Sequence, residues 1–148
     1  MRDLLVFLHL AAAIFWMGGM AFMVLALRPA AHAQLQPPVR LPLMVQVLRR
    51  FFIVVIASIA VLLATGVPLL LQARGGAMPP GWHAMAGLGL LMMAIFGHLF
   101  FVPYQRLKRA VAAQDWPAGG AQMNLMTLLV KINLGLGWVA IGAVLLWR

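Results

Sequence analysis

A chain of 148 residues that is 65% hydrophobic, with a mean hydropathy of +1.01, is too apolar for an ordinary soluble domain, where about 45–50% is usual. The net charge of +9 and pI near 12.0 do not indicate a nucleic-acid partner, because no basic stripe alternates with stacking aromatics. The absence of cysteine excludes thiolate metal sites, disulfides and thiol catalysis, and Asp3 and Asp115, the only acids, provide no paired carboxylates.

The first apolar run, Leu4 to Leu27, matches the roughly 20 helical residues needed to cross a bilayer. It is too long for a signal-peptide core, and no small-residue cleavage site closes it before Arg28-Pro29, so it reads as a retained helix over 4–27. The first loop carries Arg28, Arg40, Arg49 and Arg50 together with Pro29, Pro37, Pro38 and Pro42, and the prolines predict a non-helical middle. The second run, Phe51 to Leu71, predicts a helix over 50–72. It ends at a breaker-rich turn, Gly75 to Gly81. The third run, Trp82 to Val102, predicts a helix over 82–106 and leads into Arg106, Lys108 and Arg109. The fourth, Met123 to Trp147, predicts a helix over 122–147.

Basic residues concentrate in loops one and three, against Arg74 in loop two and Arg2 and Arg148 at the ends. The positive-inside bias then places loops one and three in the cytoplasm and both termini in the periplasm of a bacterial inner membrane. The expected fold is all-α: residues 1–148 form a single transmembrane domain, an integral-membrane antiparallel four-helix bundle.

Ionisable groups within such runs cost roughly 2.5–3.5 kcal/mol at mid-helix, so they are expected to face the bundle interior and to have a task. His9 in the first run, Arg50 at the mouth of the second, His98 in the third and Lys131 in the fourth are the candidates. At 100° per residue, His9, Ala12, Ala13, Trp16, Met20 and Met23 share one face. Ala84, Gly87, Leu91, Ala94 and His98 share another, with His83 at its edge. Asn124, Thr127, Lys131, Gly135, Trp138 and Gly142 share a third. Small residues on these faces either let helices approach closely or leave room for a flat cofactor. A rise of about 1.5 Å per residue puts His9 roughly 8 Å below the outer surface and His98 roughly 22 Å below it. The two imidazoles are thus expected in opposite halves of the membrane, with His83 nearer His9 in depth and Met20 nearer His98. The eleven Met are soft ligands for Cu(I), although Met17, Met20, Met23, Met92 and Met93 also suit gap-filling. His32 falls in the first loop and is given no role.

These features resemble the membrane domain of the copper-resistance protein D (CopD) superfamily, which includes the HemJ-type protoporphyrinogen oxidases. The first helix reads Leu8-His9-Leu10 and then Trp16-Met17-Gly18-Gly19. The second opens on Arg49-Arg50-Phe51-Phe52 and carries Thr65-Gly66. The third ends Gly97-His98-Leu99-Phe100-Phe101 before Arg106-Leu107-Lys108-Arg109. Gln114-Asp115-Trp116-Pro117 and Asn133-Leu134-Gly135-Leu136-Gly137 resemble short members of the group. The resemblance implies b-type haem for the HemJ branch and copper handling for the CopD branch, with His9 and His98 at positions that members use. The region His83-Ala84-Met85-Ala86-Gly87 lacks the lysine of the HemJ branch.

The leading expectation is a small redox protein binding haem b and moving electrons between a donor and an acceptor, with a quinone or porphyrin as substrate. His9 and His98 are its axial-ligand and metal candidates. Arg50 and Lys131 would neutralise propionates or a substrate carboxylate, and Trp16 and Trp138 would pack on the macrocycle. The alternative is copper transport, with His9, His83 and Met20 as ligands. A third reading is a structural partner subunit. The lipid bilayer is the expected partner, together with further copies of the chain, and no nucleic acid.

Overall fold

The computed structural model describes residues 1–73 and 78–147. Helix α1 (Arg2–Phe22) passes through a π-helical turn (Met23–Leu27) into α2 (Arg28–Gln34), and α3 (Pro37–Ala73), α4 (Pro80–Phe101), α5 (Pro103–Ala112) and α6 (Trp116–Leu146) follow. Among the described residues, four helical stretches are long and apolar enough to cross a membrane: Arg2–Gln34, Pro37–Gln72, Pro80–Ala112 and Trp116–Leu146. The protein is an all-α, multi-pass membrane bundle. Of the expected second turn, Arg74 to Ala77 lie outside the described residues.

The first loop is not the irregular segment its prolines predict. It is helical up to a two-residue break at Leu35–Gln36. Pro29 lies in the opening turn of α2, and Pro37 and Pro38 open α3. At Pro37 and Pro38, which follow the break, a missing N–H has no helical partner, whereas Pro29 falls within a continuous helical stretch and removes a bond from it. The wider turn at Met23–Leu27 falls where Pro29 interrupts the hydrogen-bond ladder. Only Pro42 and Pro68 sit deeper, both inside α3.

The third and fourth helices also depart from their expected bounds. Val102, at φ −113° and ψ −79°, and Pro103 after it separate α4 from α5. Helix α5 is amphipathic, burying Pro103, Tyr104, Leu107 and Ala110 while Arg106, Lys108 and Arg109 stay exposed. Gln114, at φ +56°, turns the chain. Helix α6 then starts at Trp116, before the expected 122, because the Asp115 carboxylate accepts from the Ala118 amide at 3.1 Å and caps it.

Two helix pairs dominate the packing, α1 with α3 and α4 with α6, and α5 lies on α6. Gly81 permits the closest approach of α4 to α6, since a Cβ there would strike the carbonyl oxygens of Ala143 and Trp147; its amide donates to the Trp147 carbonyl at 3.1 Å. Phe52 is the aromatic hub, edge-on to Phe96 at 5.4 Å, Phe100 at 5.7 Å and Tyr104 at 4.9 Å between ring centres. Trp16 meets Phe96 at 6.4 Å. By contrast Ile14, Phe15 and Ile53 are 69%, 68% and 63% exposed, the pattern of side chains that meet lipid.

Candidate functional site

His9 projects from α1 against α3. Its Nδ1 lies 2.9 Å from the Thr65 hydroxyl, and that hydroxyl donates to the Val61 carbonyl at 2.7 Å. A hydroxyl has one proton to give. With that proton donated to Val61, Thr65 Oγ1 is placed to accept from His9 Nδ1, and in the tautomer protonated at Nδ1 the lone pair lies on Nε2. Imidazoles that ligate metals commonly donate their other ring nitrogen to an oriented acceptor. Gly66 keeps the space beside the ring, since a Cβ there would come within 3.1 Å of His9 Cε1. Burial on the α1–α3 seam leaves His9 half-exposed and Thr65 buried.

The other expected residues divide sharply. Trp16 and Met20 are buried in the core on the same helix as His9, as the first face predicts. His98, His83, Lys131 and Arg50 are all exposed on the outside of the bundle, as is Trp138. The second and third expected faces are therefore corrected. Helix α4 turns Met92, Phe96 and Leu99 inward, rather than Gly87, Leu91, Ala94 and His98. Helix α6 turns Met123, Met126, Asn133, Gly137 and Ala140 inward, and of the predicted stripe Thr127 alone is buried. His9 and His98 do not converge within the bundle. Trp16, Phe52 and Phe96 pack edge to face between the helices, an arrangement that does not fit a porphyrin clasped between those two histidines.

Sulfur fills the core instead. Met17, Met20 and Met23 descend α1 at three-residue steps, about 4.5 Å of rise each, and Met20 and Met23 are buried. Over Gly137 the side chains of α1 and α4 meet: a Cβ at that position would lie 2.9 Å from Met17 Sδ and 3.3 Å from Met92 Cε. Asn133 Nδ2 donates to the Met92 carbonyl at 3.3 Å, and its buried Oδ1 has no partner among the described residues. Further along, Met23, Met123 and Met126 line a small apolar cavity of about 20 Å³ beside Arg28. Sequence reasoning missed Thr65 as the partner of His9 and Asn133 as a buried amide, whereas Met92 fills the core as its gap-filling reading expects. An isolated hydroxyl or amide in an apolar run was the available signal.

Among the described residues no three His, Cys, Asp or Glu side chains are grouped to hold a metal. Metal chemistry in this core would rest on one imidazole and on thioethers, a soft donor set suited to Cu(I). No curated protein and no solved structure matches the chain. The sequence pattern of the family described as Copper resistance protein D matches residues 45–147, from within α3 to the end of α6. With more than half of its length matched, and with four membrane-length helices around a core rich in thioethers, the chain belongs to the Copper resistance protein D family.

Proposed function

We propose that this protein handles copper within the membrane, taking up Cu(I) at His9 and carrying it along the thioethers of Met17, Met20 and Met23. The observation that carries this reading is the His9–Thr65 pair, which leaves an oriented Nε2 lone pair on the helix that also bears the three methionines. Family membership supports a copper-related role. His83, exposed at the start of α4, is a further donor near the same surface. The basic loops support a bacterial inner-membrane location with both termini periplasmic.

A haem b redox role draws on the same imidazole but has less support, because His98 is on the outer surface and aromatic rings occupy the centre. One preparation separates the readings. Detergent-purified protein, kept reduced, is titrated with Cu(I) against a chromophoric chelator, and its reduced-minus-oxidised spectrum is recorded. Retention of Cu(I) that weakens in His9→Ala and Met20→Leu is expected. A stoichiometric haem α band without Cu(I) retention would replace copper by haem. Loss of stability in both variants, with neither ligand bound, would leave a structural subunit.

A further inference from the structure

We propose that the cleft between α2, the first turns of α3 and the start of α6 binds a phosphate group, carried by a lipid headgroup or free in solution. Arg28 and His32 come from α2, Arg40 from α3, and Gly120 and Asn124 from α6, around a cavity of about 100 Å³. That exceeds the roughly 10–15 Å³ that one water needs. The two-residue break at Leu35–Gln36 separates α2 from α3, and two guanidinium groups and an imidazole from the two helices line one cavity.

Each arginine is held by a neutral acceptor. Arg28 Nη2 donates to Asn124 Oδ1 at 2.5 Å. Arg40 Nη1 donates to the Leu35 carbonyl at 3.3 Å and the His32 carbonyl at 3.5 Å. A guanidinium has five N–H donors, so most of this donor capacity is left over. The chain has only two carboxylates. Asp3 lies in the first turn of α1, at its opposite end, and Asp115 Oδ1 caps α6. Like charges gathered around a cavity repel, and an anion offsets this best when its oxygens accept from both planar forks. Phosphate oxygens do so. Gly120 lines the cavity, and a Cβ there would meet nothing within 4 Å, so a larger side chain has open space to enter. Arg28 also follows directly on the apolar run of the first span, at the depth where headgroup phosphates lie.

The test uses the full chain purified in a neutral detergent. Inorganic phosphate, dioctanoyl phosphatidic acid and, as the phosphate-free control, dioctanoylglycerol are titrated by calorimetry. Phosphatidic acid is expected to bind and dioctanoylglycerol is not. Arg28→Gln and Arg40→Gln should each weaken binding about 10-fold, the scale of a lost charge-assisted bond. Gly120→Leu should block the cavity with both arginines in place, and it decides the matter if an arginine variant fails to fold. Arg106→Gln, on the exposed face of α5, should bind as the parent does. Binding of inorganic phosphate as well identifies a soluble source, and binding of phosphatidic acid alone identifies a lipid. Failure of both phosphate probes to bind, or an equal loss in Arg106→Gln, would overturn the proposal.

Discussion

The orientation of His9 depends on a hydroxyl one helix away. With the Thr65 proton donated to the Val61 carbonyl, its oxygen is placed to receive a proton from His9 Nδ1, which favours the tautomer protonated there. Thr65→Val keeps the shape of the side chain and removes the acceptor. The expected result is a fall in Cu(I) affinity of roughly 10- to 100-fold, as for other partners of metal-ligating histidines, in a protein that still folds. Chelator competition measures it, and an unchanged affinity would detach Thr65 from the site. The histidine was visible in the sequence as an ionisable group in an apolar run. Its partner was not, because pairing across 56 positions depends on how α1 and α3 are set against each other.

At the scale of the element, helix ends follow local chemistry that hydropathy alone overlooks. Helix α6 begins where Asp115 caps it and Trp116-Pro117 open it, although its apolar run starts later, at Met123. Asp115→Ala should lower stability by about 1 kcal/mol, read as a lower thermal midpoint in detergent, with fraying confined to the first turn. A fall no larger than that of an exposed control substitution would deny the cap its role. The prolines of the first loop taught the opposite lesson to their usual one. Pro37 and Pro38 start a helix instead of breaking one, and Pro29 is absorbed within a continuous helical stretch beside a π-helical turn.

At the scale of the whole molecule, the bundle sets an imidazole near the start of α1 apart from arginines at the opening of α2 and in the first turns of α3. The proposed orientation in the membrane rests on the asymmetry of the basic loops. Since the chain has no cysteine, single substitutions report it cleanly. Gln36→Cys and Ala113→Cys should react with a membrane-impermeant thiol reagent only in inverted vesicles, and Met78→Cys only in intact spheroplasts. The reverse pattern would invert the topology.

Length and hydropathy alone determined the four spans and the all-α class, because continuous apolar runs of about 20 residues cross lipid as helices, which satisfy their backbone hydrogen bonds internally, whereas barrel strands are about half as long and alternate in polarity. They could not determine which faces of α4 and α6 turn inward. In water an amphipathic helix records its buried side in its sequence, but lipid tails are as apolar as the core, so the contrast disappears. The tertiary structure decided it by shape: Met92, Phe96, Met123 and Met126 fill the interior, and the glycine-rich stripes with His98 and Lys131 face out.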